Sequence, residues 1–138
     1  MPQTPRRIRP SFLGIVMVAV SVFAAPLFPA FAQEKLAGDR HSVSVIDGDT
    51  LQVGDRIVHL AGIDAPELGQ VCIHDEQLIR CGVNAAFTLD KAVELAVAPI
   101  ICSDLSDLSD GVLLGTCESG GDNLALKLLR SGYVVALP

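Results

Sequence analysis

The sequence predicts a mainly β protein with helices (β+α), a small Greek-key barrel of the oligonucleotide-binding type. Three observations predict it. Short β-branched runs near residues 42–63 are separated by Asp-Gly and Gly-Asp turns. Apolar residues at helical spacing appear only later, over residues 82–97 and 123–130. Two further apolar runs lie between those helices, which gives the order β-β-β-α-β-β-α.

The first 32 residues read as an export signal rather than as part of the fold. Arg6, Arg7 and Arg9 form a positive start, residues 12–28 an apolar run, and Ala30-Phe31-Ala32 a small-residue cleavage site before Gln33. Pro26 and Pro29 interrupt the run, which argues against a membrane anchor. Residues 33–41 are a polar lead-in and residues 42–138 the domain. The expected location is periplasmic or extracellular, with no stable membrane anchor after cleavage, and the domain is expected to be a monomer.

Within the domain, residues 42–46 alternate and read as a strand, which Asp47-Gly48-Asp49 breaks as a turn or bulge. Residues 50–53 continue extended. Gly54-Asp55 makes a tight turn, and residues 56–63 form the third strand of a meander. Pro66 takes the chain out of the sheet. Residues 68–81 read as an irregular loop. Val83, Ala86, Leu89, Val93 and Val97 mark the first helix, which stops before Pro99. Residues 100–103 and 112–118 read as strands around an acidic loop. Asp122 is placed to cap a helix over 123–130, Gly132 to end it, and residues 133–137 to form a last strand.

Charge and cysteines narrow the function. All 16 acidic residues follow residue 32, but only seven of the ten basic ones do, so the exported part carries −9. Such a balance repels phosphate backbones and disfavours a tight, non-specific nucleic-acid binder. It leaves room for a local site with a bound cation. Cys72, Cys81, Cys102 and Cys117 are an even set in an exported domain and read as two disulfides. Three pairings are possible; the sequential one closes the short loops and is the one expected. A zinc site is disfavoured because no C-x-x-C pair exists.

Four carboxylates, Asp47, Asp49, Asp64 and Glu67, cluster around the first three strands. Converging oxygens suit a hard cation such as Ca²⁺, and a carboxylate beside it can hold or deprotonate a water. Read for turn chemistry alone, Asp-Gly-Asp is a turn and Asp-Ala-Pro-Glu a strand exit.

Val45-Ile46-Asp47-Gly48-Asp49-Thr50 followed by Leu60-Ala61-Gly62-Ile63-Asp64-Ala65-Pro66-Glu67 closely resembles the staphylococcal nuclease-like (thermonuclease) family. The likeness continues through Gly69-Gln70-Val71-Cys72, Cys81-Gly82, Asn123-Leu124-Ala125-Leu126 and Leu129-Arg130-Ser131-Gly132-Tyr133. It implies a five-stranded oligonucleotide-binding-type barrel and Ca²⁺-dependent hydrolysis of DNA and RNA phosphodiesters. By resemblance, Asp49, Asp64 and the backbone carbonyl of Ala65 are metal ligands. Glu67 is the general base or water-positioning group, and Asp47 is supporting. The four cysteines resemble those of an exported, disulfide-bearing branch.

Two departures weaken that expectation. The family sets two arginines against the phosphate, because guanidinium forks stabilise the pentavalent transition state. Here His59 stands at the first position and Val112 at the second. His59 is either a weak catalytic substitute or an ordinary strand histidine. Arg56 is expected on the opposite face of its strand, and Arg80 in a loop. The chain also stops short of the family's last helix. The reading is therefore a thermonuclease-like domain with impaired hydrolysis, or a degenerate binding module for an ion, a ligand or a protein.

Overall fold

Val43, Leu51, Val53, Val58 and Leu60 are buried while Ser44 and Gln52 between them are exposed. This period of two lays one apolar face on a core and builds the sheet that carries the site. The computed structural model describes residues 33–138. The export segment expected over residues 1–32 lies outside them.

The main sheet has seven strands. Five come from the meander and its closing hairpin: β2 (Val43–Val45), β3 (Thr50–Val53), β4 (Arg56–Leu60), β8 (Ile100–Ser109) and β9 (Val112–Ser119). The lead-in adds β1 (Leu36–Gly38), and β10 (Asp122–Asn123) pairs with the end of β9. The order is β1-β8-β9-β4-β3-β2, antiparallel except for the parallel β4–β9 pair. The sheet curls as a half-barrel, so the architecture is mainly β with two helices, an oligonucleotide-binding-like β+α fold. Two small sheets accompany it: β6 (Cys72–His74) with β7 (Gln77–Ile79), and β5 (Ile63–Asp64) with β11 (Val135–Ala136).

The open face of the sheet is closed by α1 (Cys81–Glu94) and α2 (Leu124–Ser131). Ala85, Leu89 and Val93, each four residues apart, put one stripe of α1 into the core beside Leu51, Ile100 and Leu128. On α2 the buried residues are Leu124, Ala125 and Leu128. Asn123 caps α2, its Oδ1 accepting the Leu126 amide at 3.0 Å, and Gly132 ends it in the left-handed conformation at φ 78°.

Several expectations are corrected. The third strand ends at Leu60, because Gly62 turns the backbone at φ 81° and sends Ile63 and Asp64 to pair with β11. The loop over 68–81 contains the β6–β7 hairpin, whose turn Asp75-Glu76 has both residues at positive φ. The acidic loop is largely strand: β8 runs through Ser109, with register shifts after Ser103 and Asp107 that absorb the irregular stretch. The polar lead-in contributes β1, paired with β8 from Leu36↔Cys102 to Gly38↔Ile100. The helix cap is Asn123 rather than Asp122, which instead pairs with Lys127 at 3.0 Å. The buried stripe of α1 runs through Ala85, not Val83 and Ala86, and Val97 is 95% exposed beyond the helix end.

The cysteines pair sequentially, Cys72–Cys81 and Cys102–Cys117. The second bond joins directly opposed residues of β8 and β9 in the core; the first ties the β6–β7 hairpin to the start of α1. Both suit an oxidising compartment. Among the described residues no helix is long and apolar enough to cross a membrane.

Candidate functional site

Residues 46–49 connect β2 to β3 as a tight bend, in which the Ile46 and Asp47 amides both donate to the Thr50 carbonyl, at 2.9 and 3.4 Å. Gly48 lets the bend press inward. A Cβ there would stand 2.7 Å from the Cβ atoms of both Ala65 and Ala85, so only glycine fits between the β5 exit and α1. A second glycine fixes the other wall. A Cβ on Gly82 would fall 1.8 Å from the Glu67 carbonyl oxygen, so the first turn of α1 lies directly against the Asp64–Glu67 segment.

This packing carries Asp49 inside. It is 4% exposed, and both its carboxylate oxygens meet protein donors. Oδ2 accepts the Ala65 amide at 2.8 Å, and Oδ1 accepts the Thr50 hydroxyl at 3.1 Å. His59 Nδ1 lies 3.5 Å from the same Oδ1. The Asp47 carboxylate accepts the Asp49 amide at 3.3 Å, so it stands beside its neighbour. Burial first, and then the Asp47 carboxyl, push the Asp49 carboxyl up to about 6, against the opposing pull of the Ala65 amide and of His59.

His59 arrives by register. The two-residue turn at Gly54-Asp55 pairs Val53 with Arg56, and counting back along the hairpin sets Thr50 opposite His59. The Thr50 hydroxyl and His59 Nδ1 are 2.9 Å apart. On its other side His59 pairs with Leu114 of β9, and Ile57 pairs with Val112. Residues 57 and 59 share a face, so the two positions where the resemblance expects arginines lie on one face of the sheet. Both are half-buried, and they are occupied by an imidazole and an isopropyl group. Arg56 turns away to Glu34 at 3.4 Å, and Arg80 is exposed at the N-cap of α1.

The remaining predicted carboxylates are on the surface. Asp64 is exposed on β5 and opens, with Ala65, onto a groove of about 210 Å³ lined also by Pro66, Gln70 and Tyr133. Glu67 is exposed, and its amide donates to the Gln70 side-chain oxygen at 2.6 Å. Asp47, Asp49 and His59 are thus brought together, while among the described residues no hydrogen bond or ion pair joins the side chain of Asp64 or Glu67 to them. Thr50, which links the histidine to the aspartate, escaped the motif reading; the hairpin register contained the signal.

Calcium takes six to eight oxygens. Among the described residues no three Asp, Glu, His or Cys side chains converge closely enough to hold a metal ion. Asp49 spends its oxygens on an amide and a hydroxyl.

No family model matches the chain. Succinoglycan biosynthesis protein ExoI of Rhizobium meliloti (strain 1021) is 35% identical over 108 residues, which covers 77% of this chain and 54% of that protein. The chain therefore spans about half the length of this curated relative.

Proposed function

We propose that the protein is an exported, disulfide-bonded, thermonuclease-like domain in which phosphodiester hydrolysis is weak or lost. The observation behind this reading is the Asp49–Thr50–His59 arrangement with Val112 beside it. A phosphoryl-transfer site needs cationic donors aimed at the charge that develops in the transition state, and losing one such donor typically lowers kcat about 10²–10³-fold. Here one position is an imidazole whose Nδ1 is engaged by Thr50, and the other has no donor. The net charge of −9 after residue 32 adds repulsion of a nucleic-acid backbone. The carboxylates the family uses, Asp49, Asp64 and Glu67, are all present, and Ca²⁺ dependence belongs to the same proposal.

The test is cleavage of a fluorescent single-stranded DNA by the oxidised protein, in millimolar Ca²⁺ and then in chelator. The expected result is little or no chelator-sensitive cleavage by the native chain, and a gain of at least about 10²-fold on combining His59→Arg with Val112→Arg. Chelator-sensitive cleavage by the native chain that disappears in Glu67→Gln and does not rise in the double arginine variant would show that the carboxylates suffice, and the reading would be wrong.

A second reading, a non-hydrolytic binding module, is favoured by the acidic balance of the chain. The relative's role in succinoglycan biosynthesis makes polysaccharide the first ligand to screen. Saturable polysaccharide binding by a chain that cuts no nucleic acid would select this reading.

A further inference from the structure

Thr50 is 8% exposed and stands between two groups that both need it. Its hydroxyl has one proton, which it donates to Asp49 Oδ1 at 3.1 Å. Its lone pairs then face His59 Nδ1 at 2.9 Å. The other group near Nδ1 is Asp49 Oδ1, again an acceptor, at 3.5 Å. A ring nitrogen surrounded by two acceptors carries the proton itself. The chain of bonds therefore runs in one direction, from Nδ1–H to Oγ1 and from Oγ1–H to Oδ1. At the far end of the ring, Nε2 has no hydrogen-bond partner among the described residues, and no buried side-chain nitrogen or oxygen there lacks one. Nε2 thus reaches solvent, consistent with a side chain that is 28% exposed.

We propose that Thr50 is a positioning residue that locks the neutral His59 ring in the Nδ1–H tautomer and presents Nε2 outward as a lone-pair acceptor. The ligand chemistry that suits such an atom is an O–H or N–H donor, a water or a neutral ligand hydroxyl, and not an anionic phosphate oxygen. This rests on the reading that His59 replaces a phosphate-binding arginine, and it explains why the replacement is more than a shorter cation. In its neutral form the ring turns an acceptor toward the place where the family's donor would be.

The experiment is long-range ¹H–¹⁵N correlation of the histidine side chains in the full disulfide-bonded protein at pH 8, with His59 assigned by its loss in His59→Gln. The expected pattern is the Nδ1–H tautomer for His59, retained in Thr50→Ser and lowered in population in Thr50→Val, where only Asp49 Oδ1 at 3.5 Å is left to accept the proton. Titration with inorganic phosphate leaves the native His59 signals in place. An Nε2–H tautomer in the native protein overturns the proposal. So does an unchanged tautomer in a folded Thr50→Val. If Thr50→Val does not fold, loss of the tautomer in a folded Thr50→Ser overturns the proposal and retention supports it. The tautomer is read independently of hydrolysis. DNA cleavage by the native chain that the two arginines do not raise would sink the functional reading and leave the tautomer standing, and the reverse holds for an Nε2–H result.

Discussion

Asp49→Asn should make the protein more stable at neutral pH, although it removes a side chain with three polar neighbours. In the unfolded chain this carboxyl ionises at its ordinary value of 3.8; in the folded chain, burial and the adjacent Asp47 carboxyl push it up to about 6. The folded state therefore holds the proton more tightly. The stabilisation from this group is fully present below pH ~4 and is lost as pH rises through about 6. A difference of about two units corresponds to about 3 kcal/mol. Asparagine keeps the shape, retains an oxygen for the Ala65 amide and carries no charge. It gives up the hydrogen bond from the Thr50 hydroxyl to Oδ1, which is worth about 1 kcal/mol net. The expected gain is about 2 kcal/mol at pH 7.5, shrinking to zero or reversing near pH 4. Urea unfolding followed by far-UV circular dichroism, in chelator, measures it at both pH values. A variant less stable than the native protein at pH 7.5, or a difference that does not change with pH, would refute the reasoning. Either result would mean that the buried carboxylate is fully compensated by its partners.

Other consequences are simpler to state. Gly48→Ala should lower stability by about 1–3 kcal/mol, because the added methyl meets the Ala65 and Ala85 Cβ atoms at 2.7 Å; chemical denaturation reads this. Removing the Cys102–Cys117 bond by a double serine substitution should reduce stability by about 3 kcal/mol, since it closes a 15-residue separation inside the core. A melting temperature unchanged within error would contradict that. Asn123→Ala should lose about 1 kcal/mol through the Leu126 amide, while Asp122→Ala should leave the cap of α2 intact, a contrast that separates the two residues in thermal unfolding.

Much of this molecule is legible in the chain because its turns are chemically explicit. Gly54-Asp55 fixes a two-residue hairpin, and once that turn is placed the pairing of Thr50 with His59 follows by counting. The cysteine spacing and Gly132 as a helix end were readable for the same reason: each is a local constraint. The misplaced elements depended on distant partners. Residues 36–38 become a strand only because β8 offers them an edge, and residues 106–109 of the acidic stretch join the sheet only because β9 runs alongside. Nor does a motif reveal what lies between its residues. The chain spells out Asp49 and Ala65 but not that the amide of one donates to the carboxylate of the other across the β5 exit.

The electrostatics of the site fit the proposal that it lacks the cations a phosphate site needs. Where a guanidinium faces a buried carboxylate, the pair shares the expense of leaving water, and the carboxylate stays ionised well below neutral pH. In this protein the carboxylate is buried beside a second aspartate, Asp47, and the nearest cationic candidate is a histidine at 3.5 Å. The Asp49 carboxyl consequently rises instead of falling. A strained acidic centre of this kind is relieved by whatever brings positive charge to it: a proton, a metal ion or an introduced arginine. Each of those is a lever on the same quantity. His59→Arg should therefore raise the stability of the folded chain at pH 7.5 even if it restores no cleavage, because the new charge offsets the cost of holding the ionised Asp49 carboxylate out of water. If His59→Arg leaves the pH dependence of stability as it was, the guanidinium does not reach Oδ1, and the case for an emptied phosphate site at this face loses its electrostatic support.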